Sequence, residues 1–122
     1  DNFLKIRREN AKYFQKLFKD DERFIIQKEI GKSSWFSFTM IVNPKSGISR
    51  DKVLQRLKKA NIEYRIITGG CMLRHDVVKY FDYTYTKSTN ADIAHYSGFF
   101  VGNYPFDIKD KIDYIHKTLR DI

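Results

Sequence analysis

One short stretch, Thr68-Gly69-Gly70-Cys71-Met72-Leu73-Arg74-His75-Asp76, gathers most of the side chains here that could do chemistry. It follows a strand-like run, Ile62 to Ile67, that carries Glu63 and Arg65. Adjacent glycines let the backbone take a positive φ or come close to a ligand. Arg74 can offer two parallel hydrogen bonds to a phosphate or carboxylate. A charged small molecule, if one binds, is expected at this loop.

Other chemistries find less support. Cys71 and His75 could be read as a thiol–imidazole pair, but such a pair needs an orienting third group and an oxyanion site. The sequence offers neither, and Cys71 reads as a small residue in a tight loop. His75, His95 and His116 lack metal-ligand spacing to one another or to Cys71. His95 and His116 read as surface or packing residues on helices. No phosphate-binding loop, dinucleotide fingerprint or nucleophile elbow is present. Glu63 and Arg65 carry two readings. They are an exposed ion pair of little worth, or a polar pair at the rim of a pocket whose other wall is the glycine loop.

The elements that must position these residues follow from periodicity. Apolar residues from Phe3 to Leu17 recur every three to four positions and predict an amphipathic helix over residues 2–19. The stretch 24–30 is a short strand or an irregular connection. Residues 33–42 predict a strand, with Phe36, Phe38, Met40 and Val42 on one face and Trp35, Ser37, Thr39 and Ile41 on the other. Ser49 is placed to cap a helix running to Ala60, and Asn61 suits the left-handed position after it. In the strand at 62–67, alternation separates Glu63 and Arg65 from Ile62, Tyr64 and Ile66. Asp76 and Asn90 are expected to cap short helices, the second ended by Gly98. Residues 83–87 read as extended or loop. Residues 99–103 predict a strand, and Asp107 caps a last helix striped by Ile108, Ile112, Ile115 and Leu119. Three or four strands with four helices make a small α+β layer domain.

Composition sets the outer bounds. The chain has 122 residues, of which 42% are hydrophobic and 16% aromatic, enough for a core in one domain over 1–122. A net charge of +8 admits nucleic acid, phosphorylated ligands or an acidic partner. The cations are scattered along the chain rather than gathered on one face, which weakens the alternative reading, a basic anion- or nucleic-acid-binding module without catalysis. One cysteine excludes an internal disulfide and any multi-thiolate metal site. The lone cysteine fits a reducing compartment, and a cytoplasmic location is expected; no apolar run approaches the roughly 20 residues of a membrane span. The opening Asp1-Asn2-Phe3 lies already inside a helical pattern, as expected of a piece of a longer protein.

Four segments carry a family resemblance. Arg8-Glu9-Asn10-Ala11-Lys12-Tyr13 resembles the Arg-x-x-Asn-Ala helix that opens the C-terminal part of the DegT/StrS sugar aminotransferase family. Ser34-Trp35-Phe36-Ser37-Phe38 resembles the Ser-Trp-Phe-x-Phe strand of its nucleotide-sugar 3-dehydratase branch. The stretch from Asn61-Ile62-Glu63-Tyr64-Arg65 through Gly70-Cys71-Met72-Leu73-Arg74-His75 resembles that branch's Gly-Ile-Glu-Thr-Arg … Gly-Asn-Leu-x-Arg-Gln segment. Gly98-Phe99-Phe100-Val101-Gly102-Asn103-Tyr104-Pro105 resembles its Phe-x-x-Gly-x-Tyr/His-Pro strand.

The resemblance implies the C-terminal small domain of an aspartate-aminotransferase-fold enzyme. Such enzymes are usually homodimers, use pyridoxal or pyridoxamine phosphate, and act on nucleotide-linked 4-keto-6-deoxy sugars. It implies that the cofactor and the catalytic residue belong to a missing cofactor domain, so that this chain holds no cofactor or metal and is inactive alone. It assigns Glu63, Arg65, Gly70, Arg74 and His75 to substrate contact. Cys71, His75 and Asn61 depart from the branch's Asn, Gln and Gly at those positions. The first two bear on which sugar nucleotide is taken.

Overall fold

The computed structural model describes residues 2–122. Helix α1 spans Asn2–Phe18, followed by strands β1 (Phe24–Ile26) and β2 (Ser37–Val42), helix α2 (Arg50–Lys59) and a two-residue strand β3 (Arg65–Ile66). Two 3-10 turns, Met72–Arg74 and Asp76–Tyr80, lead to helix α3 (Thr89–Ser97), strand β4 (Gly98–Gly102) and helix α4 (Lys109–Arg120). The four strands form one antiparallel sheet in the order β1-β2-β4-β3, so the α+β reading holds.

The core lies between one face of the sheet and the helices. Phe38, Met40, Val42 and Phe99 meet Phe14 and Phe18 of α1, Leu57 of α2, and Ile112 and Leu119 of α4. Phe14 stacks on Phe38 with ring centroids 4.5 Å apart, a separation typical of favourable aromatic pairs. The predicted stripe of α4 is buried, Ile108 through Leu119. Ser49 caps α2 by accepting from the Lys52 amide, and Asn61 takes a φ of +54°, as its side-chain chemistry allows.

The strand predicted from Ser33 begins only at Ser37. Trp35 adopts a φ of +50°, costly for a bulky residue, and its indole is buried while Phe36 turns out to solvent. The cause is tertiary. The Asn103 side chain donates to the Trp35 carbonyl at 2.8 Å and the Asn103 amide donates to Phe36 O. Ser33 Oγ accepts from the Trp35 amide at 3.0 Å. Phe36 therefore leaves the face it was expected to share with Phe38, and Trp35 joins the core.

Four further local readings are corrected. The strand at 62–67 pairs only at Arg65 and Ile66, because it is a sheet edge with a single neighbour. Helix α3 is capped by Ser88, which accepts from the Ala91 amide, with Asn90 already inside the helix. Asp76 does not cap; its carboxylate pairs with Lys79 at 2.6 Å. The N-cap position of α4 likewise belongs to Ile108 and not to Asp107, which stands one place ahead and accepts from the Lys109 amide at 3.1 Å, a bond that holds its carboxyl below the usual range.

Candidate functional site

Glu63 and Arg65 line one groove of about 600 Å³ between the β3 edge and α4. The alternation read from the sequence is the reason. Ile62 and Tyr64 turn partly inward, and Glu63 and Arg65 stay exposed. The two charges pair at 2.7 Å with side chains 73% and 66% exposed, so the pair contributes little stability and both groups remain open to a ligand. Phe36, Tyr64, Tyr104 and Tyr114 supply aromatic surface, and Arg7 and Lys111 add cations. Arg7 sits 5.8 Å from the Phe36 ring centroid, and its buried Nε has no hydrogen-bond partner among the described residues. A groove with aromatic walls, three cations and one carboxylate suits an anion that carries hydroxyl groups or a flat ring.

Gly70, Arg74 and His75 do not line this groove. Their loop folds onto α3 instead. Arg74 makes a two-pronged contact with Asp92, Nε to Oδ1 at 2.8 Å and Nη2 to Oδ2 at 2.7 Å, and lies 5.9 Å from the Tyr96 ring centroid. The Arg74 hydrogen bonds lower the Asp92 carboxyl to about 2, and the same bonds raise the Arg74 guanidinium. His75 Nε2 donates to the Gly69 carbonyl. The Cys71 amide donates to His95 Nδ1 at 3.2 Å, and the Cys71 side chain is buried. The five residues read from sequence thus fall in two clusters rather than around one pocket, because α3 draws the glycine loop to itself. Among the described residues Arg74 Nη1 makes no hydrogen bond, and it is the edge a ligand could still meet.

The sequence reading missed Asp92 and His95. Their spacing of three puts both on one side of α3, but only the fold reveals that the loop lies there. Among the described residues no group of three or more His, Cys, Asp or Glu side chains is placed to hold a metal. No helix among them is long and apolar enough to cross a membrane.

Comparison with known proteins decides the family. The family model for DegT/DnrJ/EryC1/StrS aminotransferases matches residues 1–120. The chain belongs to the DegT/DnrJ/EryC1/StrS aminotransferase family. The GDP-4-keto-6-deoxy-D-mannose 3-dehydratase of Escherichia coli O55:H7 is 42% identical over 120 residues, which is 97% of this chain and 31% of that protein. The solved E. coli GDP-4-keto-6-deoxy-D-mannose-3-dehydratase with bound hydrated PLP superposes with a TM-score of 0.93 at 41% identity, over 98% of this chain and 31% of that one. A mutant GDP-4-keto-6-deoxymannose-3-dehydratase with bound GDP-perosamine gives the same TM-score, 0.93, at 41% identity and the same coverage, 98% and 31%. The chain therefore spans about a third of the length of these relatives.

The family's marked segments meet in the structure. Asn10 of α1 bonds Asn103 beyond β4, and Asn103 bonds the Trp35 carbonyl. Three of the four resembling segments are thereby locked together. The fourth, residues 61–75, supplies the groove charges and the loop seated on α3.

Proposed function

We propose that this chain is the C-terminal part of a pyridoxal- or pyridoxamine-phosphate-dependent nucleotide-sugar 3-dehydratase or aminotransferase of deoxysugar and lipopolysaccharide biosynthesis. One observation carries the reading: 41% identity and a TM-score of 0.93 to a GDP-4-keto-6-deoxy-D-mannose 3-dehydratase over 98% of the chain.

In this reading the groove meets the sugar nucleotide. The Glu63 carboxylate accepts from hexose hydroxyls, and the Arg65 guanidinium faces phosphate oxygens, with Lys111 adding positive field. Arg74 presents Nη1 from the loop seated on α3, outside the groove, and the close approach at Gly70 is to the His95 ring rather than to the groove. The groove does not fit the cofactor itself. Its lysine and carboxylate, Lys111 and Glu63, are both exposed, so a pyridoxal ring placed there would stand in open water. The cofactor, which supplies the electron sink for bond cleavage beside the keto group, belongs to another part of the whole protein. This chain contributes substrate contacts and dimer surface and catalyses nothing alone. The exposed aromatic run with Tyr80, Phe81, Tyr83 and Tyr85 is suited to such a covered surface.

The test replaces the matched third of the E. coli enzyme with this chain. The chimera is expected to retain the cofactor's absorbance and to dehydrate GDP-4-keto-6-deoxymannose. Arg65→Ala in it should raise KM by about tenfold with less change in kcat, the mark of lost binding shared by ground and transition states. A folded, cofactor-bearing chimera without turnover would count against the function. An unchanged KM in both Glu63→Ala and Arg65→Ala would remove the groove from the site.

A further inference from the structure

His95 stands where helix α3 meets the glycine loop. Its Nδ1 accepts the Cys71 amide across 24 residues of sequence. A backbone amide only donates, so Nδ1 must offer a lone pair, and the ring must be neutral with its proton on Nε2. Gly70 is fitted to the same ring. It takes a φ of +51°, and a Cβ there would lie 2.5 Å from His95 Nδ1. The His75 ring packs edge-on to His95 with centroids 5.8 Å apart, while His75 closes the loop on the Gly69 carbonyl.

We propose that His95 is the positioning residue of the glycine loop: its neutral ring seats Cys71 and so fixes Arg74, and the seat opens when the ring takes a second proton. Protonation at Nδ1 sets a donor against a donor and removes the acceptor that the Cys71 amide uses. The charges around the ring bear on this. From the loop come the Cys71 thiol, the His75 imidazole and Arg74. From α3 itself come Asp92 and the Tyr96 phenol, whose ring is 4.8 Å away. From α2, Arg50 donates to the His95 carbonyl at 2.7 Å. The carboxylate that would welcome a proton on His95, Asp92, is already spanned by Arg74. The imidazole beside the His95 ring is that of His75.

Amide exchange of the chain, compared on either side of the pH range over which the His95 ring signals are seen to change, tests the seat. After correction for intrinsic rates, the Cys71 amide should lose at least about tenfold of its protection, the scale of one lost hydrogen bond, while β2 amides keep theirs. His95→Asn puts a non-titrating oxygen where Nδ1 stands and should make Cys71 protection independent of pH. His95→Phe keeps a ring without an acceptor and should leave Cys71 unprotected throughout. Constant Cys71 protection while the His95 ring signals titrate would overturn the proposal. So would a wild-type pH response in His95→Asn, or a parallel loss of protection in β2. None of these readouts involves a sugar nucleotide, so the seat can fail or stand apart from the function proposed above.

Discussion

The side chains of Asn10 and Asn103 meet in the core at 3.1 Å, 93 residues apart in sequence. Asn10 Nδ2 also donates to the Tyr104 and Phe106 carbonyls at 3.2 and 2.7 Å, and its Oδ1 accepts from the Ile108 amide. Asn103 in turn donates to the Arg7 and Trp35 carbonyls. One buried amide thus satisfies the backbone that links β4 to α4. Asn10→Ala would leave several buried polar groups without partners and should cost about 3 kcal/mol. Asn10→Asp should cost more at neutral pH, because a carboxylate would face three oxygen acceptors. Urea midpoints of the two variants check both the size and the order.

This network also explains how much of the fold could be read in advance. Helices α1, α2 and α4 were legible because each carries an apolar stripe of helical period, and Ser49 marks a start that local chemistry alone decides. The inner face of β2 was legible from alternation. The kink at Trp35 was not, because its cause, Asn103, lies 68 residues away. The site divides the same way. Alternation at 62–65 put Glu63 and Arg65 on one face, and the fold makes that face part of an exposed sheet edge. The seat of the glycine loop could not be read, since Asp92 and His95 acquire their partners only when residues 69–75 fold back onto α3.

At the end of α2, Asn61 holds a φ of +54°, and the Ile62 amide closes the turn on the Leu57 carbonyl at 2.9 Å. Glycine reaches that conformation freely and asparagine at small cost, whereas a β-branched residue does not. Asn61→Gly should change stability by less than about 0.5 kcal/mol, and Asn61→Val should lower it by about 1–2 kcal/mol. Because Asn61 also lines the groove, ligand affinity should follow stability only in the valine variant.

The Arg74–Asp92 pair makes an acid-side prediction. The Arg74 hydrogen bonds are the main cause holding the Asp92 carboxyl at about 2, against an ordinary 3.8. A depressed carboxyl stabilises the folded state fully above its unfolded value and loses that contribution as pH falls through the folded one. The pair should therefore stand unchanged above about pH 4 and dissolve toward pH 2. Following the Asp92 carboxyl carbon by NMR should give a midpoint nearer the lower value in the parent and nearer the ordinary one in Arg74→Gln. Equal midpoints in the two proteins would mean the pair does not form in solution.

Gly98 joins α3 to β4 with ordinary angles, φ −90° and ψ 145°, so the position needs glycine for space rather than for backbone freedom. A Cβ there would collide with Ile67 Cδ1 and with the Ala94 carbonyl oxygen. The first obstacle is the tip of a side chain and can move. The second is backbone and accepts the Gly98 amide that ends α3. Gly98→Ala should accordingly lose about 2–3 kcal/mol, in the range for forcing extra atoms into a packed site. Adding Ile67→Ala clears only the movable obstacle, so the double variant should recover less than half of the loss. Full recovery in urea unfolding would show that the side chain, not the helix terminus, sets the limit at this junction.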